Sequence, residues 1–215
     1  YYEALVPSTG YLKVWSLEEY EGGLLLRVPN RHSPEELAPF TAQPKTFEVF
    51  AENLRWNKIM GLENAGDVNM ACSCGAASDL IKVAEALQEK KIVQIAEEIE
   101  RRVNLEDPLK LVLITGPSSS GKSTFCKRLS VQLKACGINP ISFSTDDYFV
   151  NRLDTPRLPD GSFDFDNFDT VDHDYLQKDV VKLLNGETVD VPEYNFVTGL
   201  REYNGKSLRL EPGSV

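Results

Sequence analysis

Apolar residues recur along this chain with two different periods, and the change from one to the other divides it. The pieces YLKVW and GLLLRV carry the composition of short strands. The stretch RHSPEELAPFTAQPK, broken by Pro34, Pro39 and Pro44, reads as a connection rather than an element. In TFEVFAENLRWNKIM the period changes, because Phe47, Phe50, Leu54 and Ile59 stand near helical spacing. Thr46 is the expected N-cap, Glu48 and Glu52 lie toward the positive end of the dipole, and the aromatic side should meet a sheet. From Ser78, SDLIKVAEALQEKKIVQIAEEIERR repeats Leu80, Ala84, Leu87, Ile92, Ile95, Ile99 and on to Val103. This predicts a long amphipathic helix, or two with a break near Lys90-Lys91.

The segment NLEDP, residues 104–108, ends that helix, since Pro108 cannot continue it. Beyond it the chain shows a continuous apolar strand pattern over 109–115, a loop, a helix over 122–135 stopped by Gly137, and a second strand over 140–144. A strand, helix and strand in that order predict a βαβ unit of a parallel sheet. The expected architecture is therefore α/β over 106–215, preceded by a smaller α+β domain over 1–105. The polar, aromatic-rich stretch DDYFVNRLDTPRLPDGSFDFDNFDTVD is too irregular for an element and too long for an idle connection. A helix over HDYLQKDVVKLLNG and strand-like TVDVPEYNF and KSLRLEP complete the pattern.

Charge and cysteines narrow the classes. A net charge of −10 spread through both halves of the 215 residues shows no basic face for a nucleic-acid backbone. No run of 18 apolar residues occurs, so no membrane span is expected. Cys72, Cys74, Cys126 and Cys136 lack paired CxxC spacing and predict reduced thiols in a cytoplasmic protein. A zinc site at Cys72 and Cys74 would need two more ligands, and His32 and His173 are the only histidines. The opening Tyr1-Tyr2-Glu3 has neither an initiator methionine nor a leader pattern, as expected of a chain cut from something longer.

The chemistry concentrates in LVLITGPSSSGKSTFCKRL. Gly116, Pro117, Ser118, Ser119, Ser120, Gly121, Lys122, Ser123 and Thr124 fit GxxxxGK[ST] between an aliphatic strand and an amphipathic helix. In that context backbone N–H groups and a helix N-terminus converge on a phosphate. Lys122 would reach the terminal phosphates, Ser123 would ligate Mg²⁺, and Thr124 would bond an inner phosphate. The expected ligands are ATP and Mg²⁺. The next strand, PISFSTDDYF, ends in Asp146 and Asp147, where a carboxylate can take a proton from a substrate hydroxyl or hold Mg²⁺. An acceptor such as Asp166 suits a ribose diol, and aromatic faces suit a base.

Four motifs in order, GPSSSGKST, SFSTDDYF, DGSFDFDNFD and VPEYNFVTGLREY, resemble the uridine kinase/phosphoribulokinase family, in its uridine kinase branch, over residues 109–215. The resemblance implies Asp146 as the carboxylate that activates a nucleoside 5′-hydroxyl. It implies Phe149, Phe165 and Tyr194 as aromatics around the nucleoside, Asp166 on the ribose hydroxyls, and Arg201 beside the base-binding loop. Gly199 stands where pyrimidine-specific members carry a histidine, so that side-chain donor is missing. The chain ends at LRLEPGSV, where the family continues into a buried acidic strand and an arginine-bearing lid, which implies weak turnover by residues 1–215 alone. The partner expected is a small-molecule nucleoside, with neither nucleic acid nor membrane, and homo-oligomerisation is left open.

Residues 1–104 resemble, less specifically, the second additional domain of threonyl-tRNA synthetases. The HxxxH pair of its editing chemistry is missing, since His32 is the only histidine there, so a scaffold or regulatory domain is expected. Against the kinase stands the alternative of a non-catalytic nucleotide sensor or of a kinase for another small alcohol. A GTPase ranks below both, for want of a guanine-reading Asn-Lys-x-Asp segment.

Overall fold

A computed structural model describes residues 5–117 and 119–215. The backbone clusters into two compact units, Tyr1–Ala84 and Glu85–Val215, and the division falls inside a continuous helix.

In the first unit, β1 (Ser16–Tyr20) and β2 (Gly23–Arg27) form an antiparallel hairpin with Tyr20 opposite Gly23. YLKVW precedes this hairpin rather than forming it, so the first strand lies further along than its sequence suggests. Glu21 and Gly22 make the two-residue turn at positive φ, and that turn sets the register of the pair. Helix α1 spans Pro44–Met60. It starts before Thr46, with Pro44 in the first turn, where a residue without an N–H costs nothing. Of its expected apolar side, Phe47 meets the hairpin, edge-on against Tyr20 at 5.8 Å, while Phe50, Leu54 and Ile59 are exposed; Phe40, ahead of the helix, packs on the same Tyr20 at 5.4 Å. Helix α2 (Ala65–Ser73) is an addition to the expected elements. A capping box starts it, with the Asn64 side chain on the Asp67 N–H and the Asp67 carboxylate on the Asn64 N–H.

Helix α3 runs unbroken over Ala77–Val103, through Lys90-Lys91. Within the second unit its stripe Ile92, Ala96, Ile99, Val103 is buried against Leu129 and Leu133 of α4 (Lys122–Ala135), together with Ile138 and Val215. Glu89 accepts from Gln132 Nε2 at 2.5 Å and from Arg128 Nη2 at 2.7 Å, which fixes the register of the two helices at the edge of this core. Helix α5 (His173–Leu184) buries Leu183 against Val189, Val191, Phe143 and Leu208 in a second cluster.

Three two-stranded antiparallel sheets make up the strand content of the described residues. In the second unit β3 (Thr188–Asp190) pairs with β6 (Ser207–Arg209), and β4 (Glu193–Asn195) pairs with β5 (Leu200–Glu202). The parallel ladder expected between 109–115 and 140–144 is not formed among the described residues. Both segments instead contribute Leu111, Ile141 and Phe143 to one narrow apolar groove with Leu183 and Val215, and the Ile141 N–H is taken by the Val215 carbonyl at 2.8 Å. A strand needs a neighbour about 4.8 Å away to complete its ladder, and side chains facing a shared groove do not supply one.

Candidate active site

The phosphate loop leaves the 109–115 segment and enters α4 through Gly121, whose φ of 86° only glycine adopts at little cost. At Gly116 a Cβ would stand 2.9 Å from Ser120 Oγ, so a side chain there would force that hydroxyl to shift. Ser119 also takes a left-handed conformation, at φ 59°. The loop therefore turns tightly enough for Lys122 to fold back across it, and Lys122 Nζ donates to the Gly116 and Pro117 carbonyls, each at 2.9 Å. The first turn of α4 has no acid, its leading N–H groups lack intrahelical acceptors, and Ser123 and Thr124 are exposed. An ammonium, free N–H groups and two hydroxyls at a helix N-terminus form a cradle for an anion. Ser118, expected in the same cradle, lies outside the described residues.

A second constellation is built on the 3-10 turn Thr145–Tyr148. Ser144 opens the turn by accepting the Asp146 N–H on its hydroxyl at 3.2 Å. Asp146 is exposed and its carboxylate makes no bond to any described residue, whereas the Asp147 carboxylate accepts the Tyr194 N–H at 3.5 Å. Tyr148 is completely buried and donates its hydroxyl to Asp179 of α5 at 3.1 Å. Burial, then the facing Asp179 carboxylate, pushes the Tyr148 phenol well above its ordinary range. The acid-bearing turn is thus anchored at its end while Asp146 stays free.

Phe149, Tyr194 and Phe196 pack edge-on around one another, with centroids 5.0–6.1 Å apart. Tyr194 on β4 is paired directly with Arg201 on β5. Arg201 holds the assembly together: Nε and Nη2 donate to the Phe149 carbonyl, Nη2 also reaches the Tyr148 carbonyl at 2.9 Å, and Nη1 meets Asp172 at 3.1 Å. Burial alone would raise the Asp172 carboxyl, but the Tyr175 N–H and the Arg201 guanidinium outweigh it and hold it below the usual carboxylate range. Arg201, expected beside a base, spends its donors on the protein.

The structure brings Phe149 and Tyr194 together but not Phe165, whose ring partner is Phe163 at 5.7 Å in a cluster capped by Arg157. Phe165 and Asp166 are exposed, and the Asp166 carboxylate has no protein partner among the described residues. His173 begins α5 and stacks on Phe168 at 3.8 Å. Sequence reasoning missed Phe196, Asp172, Asp179 and Arg152. Asp172 had a local signal as the residue that caps α5. The other three act through contacts between segments far apart in the chain.

The model of the Phosphoribulokinase / Uridine kinase family matches residues 111–212. The chain is similar to a uridine kinase of Vibrio vulnificus (strain YJ016), 32% identical over 96 residues that cover 44% of this chain and 45% of that protein. It is also similar to the uridine-cytidine kinase 2-B of Danio rerio, 30% identical over 116 residues covering 49% and 42% respectively. A probable uridine-cytidine kinase of Caenorhabditis elegans is 27% identical over 122 residues, or 52% and 48%. The chain spans about half the length of the relatives it matches. No helix among the described residues is long and apolar enough to cross a membrane. The phosphate loop, the acid turn and the β4–β5 pair all fall inside the segment that this family model matches, and the match implies an α/β P-loop fold for that segment.

Proposed function

We propose that this protein transfers the γ-phosphoryl group of ATP to the 5′-hydroxyl of a nucleoside of the uridine or cytidine type, in the cytoplasm, and that residues 106–215 carry the nucleotide and acceptor sites of that domain. The observation that carries the reading is the acid turn. Asp146 has a free carboxylate two residues from a buried anchor, and Asp147 next to it ties the turn to the backbone of Tyr194 in the aromatic cluster. A free carboxylate on a turn that is tied to an aromatic cluster suits proton removal from a sugar hydroxyl.

In this reading Lys122 exchanges its two loop carbonyls for the terminal phosphates, an ammonium already held where the anion would lie. The α4 N–H groups and Thr124 hold the inner phosphates. Hard oxygen donors at Ser123 and Asp146 fit Mg²⁺, which keeps several of its waters and would neutralise charge on the phosphates when bound. Asp146 takes the proton of the attacking hydroxyl. Asp166, unpaired among the described residues, holds the ribose diol, and Phe149 and Tyr194 flank the base. Phe165 would join them from its own cluster. Arg201 serves this site as a positioning residue, through the Tyr148 and Phe149 carbonyls. Residues 1–105 are proposed as a scaffold or regulatory domain like the second additional domain of threonyl-tRNA synthetases.

The test is an acceptor screen with ATP and Mg²⁺ on the full-length protein, wild type and Asp146→Asn. Wild type should phosphorylate a nucleoside, and the variant should lose roughly 10²–10⁴-fold in kcat while binding ATP as before. Retention of kcat by the variant would remove Asp146 from the role of base. Absence of transfer to any nucleoside or other small alcohol would leave a nucleotide sensor.

A further inference from the structure

Between β4 and β5 the chain turns through Gly199 at φ 72°, and the space above its α-carbon is occupied. A Cβ on Gly199 would stand 2.8 Å from both Cβ and Nε of Arg152 and 3.0 Å from its Cζ. Backbone conformation and the Arg152 side chain therefore both disfavour a side chain here, which would be strained and would displace Arg152. The arginine is held at two points against the same turn: its N–H donates to the Gly199 carbonyl at 2.8 Å, and Nη2 donates to the Phe196 carbonyl at 2.5 Å. Its neighbour Asn151 accepts the Arg201 N–H at 3.1 Å, which fixes the segment from the other side. Phe196 packs on Tyr194 at 5.0 Å and on Phe149 at 6.1 Å, so the guanidinium is fastened to the rim of the aromatic cluster.

The two arginines of this region differ in what they have left to give. Arg201 spends its donors on carbonyls and Asp172. Arg152 spends one side-chain donor on Phe196, is half-buried, and has no carboxylate partner among the described residues, in a chain where acids outnumber bases 33 to 23. A cation with remaining donors in a planar fork, at the rim of the Phe149, Tyr194 and Phe196 cluster, matches two adjacent hydrogen-bond acceptors on a ligand.

We infer that Arg152 is the specificity-determining residue for the acceptor, reading a base edge that presents two neighbouring acceptors, as O2 and N3 of cytosine do. Uracil places an N–H between its carbonyls and offers the fork one acceptor at a time. Gly199 is then the clearance for this reader rather than a lost contact. The inference rests on the kinase reading of the same site.

The experiment measures kcat/KM for cytidine and uridine with ATP on the full-length protein, for wild type, Arg152→Met and Arg152→Lys, with the thermal midpoint of each variant as the folding control. Wild type should favour cytidine by about tenfold, the discrimination a bidentate arginine contact typically supplies. Both variants should bring the cytidine-to-uridine ratio toward one, the lysine variant because it keeps the charge and loses the fork. A wild-type preference for uridine, or a ratio unchanged in both variants, overturns the inference and leaves the kinase reading standing. ATP binding without transfer to any nucleoside overturns the kinase reading itself.

Discussion

The two units use the same kind of amphipathic helix to different ends. In α3 and α4 the stripe becomes a core, with Ile92 at 1% exposure and Leu129 and Leu133 at 3%. In α1 the stripe stays largely in solvent, with Phe50 63%, Leu54 68% and Ile59 60% exposed. Every buried residue among those described lies in Glu85–Val215. Periodicity makes a helix possible, and a partner for its apolar face supplies most of its stability. The contrast also has a functional side, because the acid turn, the phosphate loop and the β4–β5 pair are all seated on the unit that has a core.

A matched pair of truncations tests the contrast most strongly. Leu133→Ala should destabilise the Glu85–Val215 unit by about 2–5 kcal/mol through lost burial and a residual cavity, whereas Leu54→Ala should stay within about 0.5 kcal/mol. Chemical denaturation of both variants checks this, and equal losses would mean that α1 is as well packed as α4. A smaller effect tests local order in the coreless unit. Asn64→Ala removes the capping box of α2 and should cost that helix about 1 kcal/mol, read as faster amide exchange across Ala65–Ser73 with no change at α4.

The smallest effect concerns the link between Arg201 and Asp172. The Asp172 carboxyl lies below its usual range in the folded protein, so its contribution is fully present above about pH 4, the unfolded value, and is lost as pH falls through the lower folded value. Because Asp172 is about one-third exposed, that contribution should stay below roughly 1 kcal/mol. The stability difference between wild type and Asp172→Asn should therefore be visible at pH 7 and shrink as the solution is acidified below about pH 4. A difference that grows in acid would reverse the assignment.

Much of the helical content was legible. Helices α1, α3, α4 and α5 follow from apolar spacing, and the phosphate loop follows from GxxxxGK[ST]. Helix α2 was legible too in hindsight, because Asn64 and Asp67 stand at capping-box spacing, although its short AGDVNMACS sequence has little periodicity. The strands were harder. YLKVW has strand composition but no partner strand among the described residues, and β5 is three residues whose identity as a strand depends wholly on pairing with β4. Segments 109–115 and 140–144 have the right composition for a buried sheet and still form no ladder among the described residues, since a ladder is a property of two backbones and not of one.

The site divides along the same line. From sequence alone came the residues whose chemistry is local: Lys122 behind its glycine, the hydroxyls after it, and the acid pair at Asp146 and Asp147. Only the tertiary structure separated the two acids, leaving Asp146 free while Asp147 bonds Tyr194, and only it turned Arg201 inward onto Asp172. Arg152 at Gly199 is the clearest case, because the two are far apart in the chain and meet through a left-handed turn with no room for a side chain. Sequence determines which groups are present and which helix or loop carries them; which of them still has a hydrogen bond to give is decided when distant segments pack and use up the rest.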